Sequence, residues 1–154
     1  MEQKRKRARL LFLYFIVVLF FFISVNVNFV AGNSMEPTYS ANSLFLSYRW
    51  PNLEKLERFQ VIIFKRPEVE DNHIVKRVVG LPGDRVCVVD GELVINGVHS
   101  VDSYFHGEFT AEFDVTVPEH KLFVLGDNLE SSIDSRYKSI GFVDFDEITG
   151  VALC

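Results

Sequence analysis

The chain has 154 residues, enough for one membrane anchor and one domain with a modest core. Its net charge of −5 conceals +4 over residues 1–9, where Lys4, Arg5, Lys6, Arg7 and Arg9 stand against Glu2, and −9 over the remainder. That acidic remainder excludes nucleic acid as a partner, because phosphates would repel it, and the basic cluster is left to determine membrane topology.

Residues 10–31 are 22 residues without a charge. As a helix at 1.5 Å per residue they span about 33 Å, roughly one hydrocarbon core. The five basic residues before them hold the N-terminus in the cytoplasm. The expected organisation is a cytoplasmic segment at 1–9, a transmembrane helix at 10–31 and an extracytoplasmic β-rich domain at 32–154. A cleaved secretory signal has the same basic start and apolar middle, but Phe29 would then stand at −3, where a small residue is required.

The next stretch, Gly32-Asn33-Ser34-Met35-Glu36-Pro37-Thr38, is a serine between turn formers. With Ala31 as the last residue at membrane depth, three extended residues reach at most about 10 Å, so Ser34 is expected close to the bilayer surface. Strands are predicted at 43–48, 61–64, 74–79, 86–89, 92–95, 121–125, 141–145 and 147–153. Between them lie a turn or short helix at 52–58, an acidic loop at 68–72, dense turn chemistry at 80–84 and an aromatic-containing link at 99–113. Asp90-Gly91 is a hairpin signal and Asn96-Gly97 a second turn. Short strands at this spacing, without a long helical period after the anchor, predict a mostly β protein: one transmembrane helix and a coiled or barrel-like all-β domain.

Cys87 and Cys154 would both face the outside. A disulfide is allowed by the compartment but not indicated by spacing, and Cys87 in its apolar run reads as a small buried hydrophobe. His73, His99, His106 and His120 form no ligand spacing, so no metal is expected.

A serine hydroxyl needs a base, and no histidine here has a telling context. Lys76 does. Strand alternation puts Ile74, Lys76 and Val78 on one face and Val75, Arg77 and Val79 on the other. A lysine flanked by apolar residues on an inward face loses hydration, which lowers its pKa toward the range a general base requires. A lysine on the solvent face of an edge strand is the plainer alternative. Gly126-Asp127-Asn128-Leu129-Glu130-Ser131-Ser132-Ile133-Asp134-Ser135-Arg136 is by itself a loop that bonds its own backbone. The Ser-x-x-Lys at Ser135–Lys138 stands without the accompanying elements of penicillin-interacting enzymes.

Together, Ser34-Met35-Glu36-Pro37-Thr38, Val75-Lys76-Arg77-Val78-Val79-Gly80-Leu81-Pro82-Gly83-Asp84, and Gly126-Asp127-Asn128 with Ser132-x-Asp134-Ser135-Arg136 resemble the bacterial type I signal peptidases. The motifs come in the right order and cover nearly the whole chain, in a compact form that lacks the extra domain of larger relatives. The resemblance implies a membrane-bound endopeptidase without a cofactor, which removes signal peptides from exported preproteins after small residues at −1 and −3. It implies Ser34 as nucleophile and Lys76 as general base, with Ser132 orienting the amine. Asp134, Arg136, Arg77 and Asp127 would support the site. Backbone N–H groups of Gly32, Asn33 and Ser34 would receive the oxyanion, and Met35 and Pro37 would contact substrate. Three positions depart from the family pattern. Phe59-Gln60 replaces a common Gly-Asp and Leu129 a common Arg, and both are expected to weaken the supporting shell. Gly32 replaces a hydroxyl found in some relatives. Two other readings stay open: a peptidase-like assembly factor without proteolysis, and a peptidase dedicated to pilus or conjugation substrates.

Overall fold

The computed structural model of the protein describes residues 2–66, 73–100 and 103–153. The acidic loop expected at 68–72, and Cys154 with its open pairing to Cys87, lie outside the described residues. Helix α1 runs Glu2–Ser24, and among the described residues eleven strands follow. These are β1 Val25–Phe29, β2 Leu44–Tyr48, β3 Val61–Lys65, β4 His73–Gly80, β5 Arg85–Val89, β6 Glu92–Ile95, β7 Val98–His99, β8 Asp114–Thr116, β9 Lys121–Leu125, β10 Val143–Asp144 and β11 Ile148–Ala152. They form one sheet in the order β1-β2-β11-β3-β4-β9-β10 and a second in the order β7-β6-β5-β8, with antiparallel pairing between neighbours.

The first correction to the sequence reading falls where the apolar helix ends. The helix does not continue to Ala31 but ends at Ser24, whose Oγ donates back to the Phe20 carbonyl at 2.7 Å. Val25-Asn26-Val27-Asn28-Phe29 then forms β1, paired with β2 from Val25↔Tyr48 to Phe29↔Leu44. The physical reason is the period-2 alternation of Val, Asn and Phe: β-branched and aromatic residues favour a strand, and a partner strand was available to pair with it. The apolar content that reads as membrane helix is therefore shared between a helix and a sheet edge. The predicted strand at 141–145 is also shorter: only Val143–Asp144 pairs, and Phe145–Glu147 is a turn of 3-10 helix. The strand Asp114–Thr116, which no expectation covered and which follows the link at 99–113, pairs with β5.

The two turn signals hold. Asp90 and Gly91 have φ of 51° and 79°, and Asn96 and Gly97 52° and 78°, the left-handed pairs of type I′ hairpins. Three apolar clusters fill the molecule. Val79, Val86, Leu93, Phe123 and Leu125 pack where the two sheets meet. Ile62, Phe64, Val78, Leu122 and Val124 line the other side of β3, β4 and β9. Val30, Met35, Phe45, Val61 and Ile63 sit beneath the Ser34 loop. Gly80 packs too tightly for a side chain: a Cβ there would lie 2.7 Å from methyls of both Val86 and Val117. Strand β4 thus runs through the centre of the molecule, with Lys76 and Arg77 on opposite faces of a buried strand.

Candidate active site

Strand β4 carries Lys76 at the position where β3 pairs with it, Ile62↔Lys76. The strand β9 joins β4 only from Arg77 onward, so between His73 and Lys76 no second strand among the described residues covers that edge of β4. The Ser34 loop approaches this edge at Lys76 and leaves a hollow beside it. Lys76 Nζ donates to Ser34 Oγ at 2.7 Å and to its neighbour's carbonyl, Val75 O, at 3.0 Å. Lys76 is only 4% exposed. Burial pulls its pKa down from 10.5 to about 8; the carboxylates of Asp134 and Asp127 oppose this, and the Arg136 guanidinium adds to it. At 2.7 Å the contact suits either direction of proton sharing: an ammonium donates to Oγ, and a neutral amine accepts from it.

The loop from Gly126 to Arg136 holds Ser34 in place. Asn128 N–H donates to the Ser34 carbonyl at 3.0 Å, and the Gly126 N–H donates to Asp134 Oδ2 at 3.0 Å. Arg136 grips Asp134 through Nε (2.8 Å) and Nη2 (2.9 Å) and donates as well to the carbonyls of Leu129 and Ser132. Gly126 leaves no room for a side chain: a Cβ would stand 2.2 Å from Ser132 Oγ and 2.5 Å from the Ser34 carbonyl oxygen.

Ser132 differs from the expectation. Its Oγ is buried without a hydrogen-bond partner among the described residues, and the second acceptor of the Lys76 amine is Val75 O instead. The reason is position: Ser132 lies against Gly126, on the side of the Ser34 carbonyl.

On the far face of β4, Arg77 holds Asp127 through two bonds, Nε–Oδ1 at 2.7 Å and Nη2–Oδ2 at 2.5 Å, both groups being almost fully buried. Thr38 Oγ1 donates to Asp127 Oδ2 and accepts from Arg77 Nη2 at 3.1 Å. This node joins the three separated motifs: the serine loop, β4 and the 126–136 loop. Thr38 stood in a motif without a role of its own, and only the fold reveals its part. Phe59, expected to weaken the shell, reinforces it. Its carbonyl accepts from Arg77 Nη1 at 2.7 Å, and its ring stacks on Tyr104. The departure has a cost, because Phe59 sits at φ 70°, where a non-glycine residue costs about 1–3 kcal/mol. Leu129 likewise belongs to the core between the sheets rather than leaving a gap.

Two hollows flank the Ser34–Lys76 contact. One, of about 400 Å³, is lined by Phe29, Val30, Ala31, Met35 and, from β4, His73–Lys76. The other, of about 490 Å³, is lined by Ala31, Gly32, Asn33, Ile74, Ser131, Ile133 and Ile140. Of the two residues expected to touch substrate, Met35 lines the first; Pro37 is exposed and lines neither, because the chain has already turned away from the cleft. The sequence reading missed His73, which opens β4 at the rim. Gly32 has φ 83° and open space where a side chain would be, and nothing among the described residues accepts from the Ser34 N–H. Among the described residues no cluster of His, Cys, Asp or Glu could hold a metal.

Comparison with known proteins identifies relatives over most of the chain. The family model described as "Signal peptidase, peptidase S26" matches residues 5–154. Signal peptidase I of Bacillus caldolyticus is 38% identical over 141 residues, spanning 79% of this chain and 73% of that protein. Signal peptidase I of Bacillus licheniformis is 34% identical over 135 residues, 80% of this chain and 72% of that protein. The crystal structure of a signal peptidase I from Enterococcus faecalis superposes with a TM-score of 0.56 at 36% identity, covering 65% of this chain and 97% of that one.

Proposed function

From a chain that belongs to the signal peptidase family, peptidase S26, we infer a reaction carried out by Ser34 and Lys76 at the outer face of a membrane. The family makes the protein a peptidase that processes signal peptides. The observation that carries the finer reading is the 2.7 Å contact between a serine hydroxyl and a buried lysine whose pKa has fallen to about 8. Such an amine is neutral in an appreciable fraction at neutral pH, whereas an ordinary lysine is almost wholly charged.

The steps follow from the contacts. Neutral Lys76 accepts the Ser34 Oγ proton as Oγ attacks the carbonyl carbon of the −1 residue, and the ammonium so formed passes the proton to the departing +1 amine. The acyl-enzyme ester is then attacked by a water that Lys76 deprotonates, and Ser34 regains its proton. Developing negative charge on the carbonyl oxygen meets the unengaged N–H of Ser34, with Asn33 and Gly32 backbone beside it. Substrate in extended form pairs along the uncovered His73–Lys76 edge of β4, a β-augmentation that presents alternate side chains to the cleft. Hollows walled by Val30, Ala31, Ile74, Val75 and Ile133 favour small apolar residues at −1 and −3. No cofactor enters any step.

The membrane reading rests on α1, in which Gln3–Ser24 is apolar enough to cross a bilayer and is almost wholly exposed. With Lys4 to Arg9 on the cytoplasmic side, the β domain lies outside. Because the helix ends at Ser24, nine residues separate its end from Ser34, and chain length alone no longer keeps the serine at the surface. The outward face of β1 and β2 supplies the reason instead: Val27, Phe29, Leu44 and Leu46 form one exposed apolar patch that continues from α1. An apolar face so placed is suited to rest against the lipid.

The test is incubation of the detergent-solubilised protein with a preprotein whose signal ends in Ala-x-Ala. Cleavage after the last alanine, absent from Ser34→Ala, is expected. An assembly factor without proteolysis would leave the preprotein intact with either protein.

A further inference from the structure

We propose that Tyr104 is a positioning residue for the Ser34–Lys76 pair, held by a clamp in which the 103–107 segment docks on the back of the loop that carries Asp127 and Asn128. This deepens the dyad reading and rests on it. The segment belongs to the connection between the second sheet's strands β7 and β8, far in sequence from every catalytic motif.

Two observations carry the proposal. The first is the docking itself. His106 N–H donates to the Asp127 carbonyl at 2.7 Å, Leu129 N–H donates to the His106 carbonyl at 2.9 Å, and His106 pairs with Asn128 in a parallel bridge. Asn128 is the residue whose own N–H holds the Ser34 carbonyl, so the segment is one bond removed from the nucleophile. The second is the stack. The Tyr104 ring covers the Arg77 guanidinium at 4.0 Å and lies on the Phe59 ring at 5.8 Å between centroids, 25° from parallel. Arg77 is 2% exposed while Tyr104 itself is 39% exposed. The tyrosine is therefore the solvent-side cover of a charge that would otherwise meet water. Its ring takes one face of the guanidinium, while Asp127, Thr38 and the Phe59 carbonyl take the edge.

Removing the cover lets water reach Arg77 and loosens its hold on Asp127. The charged groups that bear on Lys76 are Asp127 and Asp134, which favour the ammonium, and Arg136, which opposes it; His73 shares the hollow on the strand side. An Asp127 less neutralised by Arg77, and a wetter site, both favour the ammonium. The base then becomes available only at higher pH. Tyr104 lines neither hollow at the dyad, so substrate binding is left alone.

The experiment compares wild type, Tyr104→Phe, Tyr104→Leu and Tyr104→Ala as full chains in detergent. It reads kcat and KM for an Ala-x-Ala preprotein together with the titration of the Lys76 ε-carbon by ¹³C NMR, assigned with Lys76→Ala. Tyr104→Ala should lower kcat about tenfold with KM unchanged. Its Lys76 titration should move up by roughly half a pH unit. Tyr104→Phe, which keeps the ring, should match wild type, and Tyr104→Leu should fall between. An unmoved titration and unchanged kcat in Tyr104→Ala overturn the proposal, as does an equal effect of Phe and Ala. Should Tyr104→Ala not fold, Tyr104→Leu decides: wild-type kcat and titration in that variant overturn the proposal equally. The titration is read without substrate, so a wild type that failed to cleave would refute the dyad's function and leave the clamp to be judged on its own.

Discussion

A lysine that is 4% exposed and paired only with a hydroxyl and a carbonyl is a liability to the fold and an asset to the reaction. Its folded-state pKa of about 8 lies below the unfolded value of 10.5. Between those values the unfolded chain binds more protons, so native stability rises with pH through this window. Below about pH 8 the native state carries the full cost of a buried ammonium, roughly 3 kcal/mol at 1.36 kcal/mol per pH unit. Lys76→Met should therefore be inactive yet more stable than wild type at pH 7, with a gain that shrinks by pH 10.5. Thermal denaturation in detergent at the two pH values measures this; a Lys76→Met protein less stable at pH 7 would show that the lysine is not strained there. Ser132 makes the second residue-scale case. Its buried Oγ has no bond to lose, so Ser132→Ala should not lower the melting temperature. We expect it to slow cleavage about tenfold nonetheless, because Ser132 packs against Gly126 in the loop that holds the Ser34 carbonyl, and the space left lets that joint loosen. Ser131→Ala, at an exposed rim position, should do much less. Equal rates for Ser132→Ala and wild type would remove Ser132 from the mechanism.

Elements succeed here because three distant loops are bound to one strand. Gly126 is the tightest joint. Gly126→Ala places a carbon within 2.5 Å of both Ser132 and the Ser34 carbonyl, so the loop must part from the serine. Destabilisation of about 1–3 kcal/mol and loss of most activity are expected from melting and cleavage assays. Wild-type rates would mean that the loop can yield without moving Ser34. How much of this was legible in sequence differs by element. Strands β6 and β9, the Asp90-Gly91 hairpin and the alternation that buries Lys76 followed from period and turn chemistry. Strand β1 did not, because Val, Asn and Phe beside a membrane helix read as its continuation until a partner strand is known. The 103–107 clamp was invisible, since Tyr104 and His106 act through pairings about 20 residues or more away in sequence and through backbone atoms, which leave no pattern. Phe59 and Leu129 were misjudged for a related reason: a departure from a family pattern says that a partner is lost, not what packs in its place.

At the scale of the molecule, the proposed membrane reading rests on an apolar, exposed helix α1 and on the exposed apolar face of β1 and β2. The protein should remain with membranes after alkaline wash, and protease added outside should reach the β domain beyond Ser24 while sparing residues 1–9. Release of a soluble fragment starting at Gly32 would show that the apolar stretch is removed rather than retained. The central claim, that Lys76 is the base for Ser34, is tested most directly by the pH dependence of kcat/KM for an Ala-x-Ala preprotein, which reports the ionisation of the free enzyme. The account predicts a limb that rises with a midpoint near the Lys76 value of about 8, and no measurable cleavage at any pH by Lys76→Ala or by Lys76→Arg, whose guanidinium does not deprotonate. A profile that peaks near pH 6, or a Lys76→Ala protein that cleaves with the wild-type profile, would contradict it.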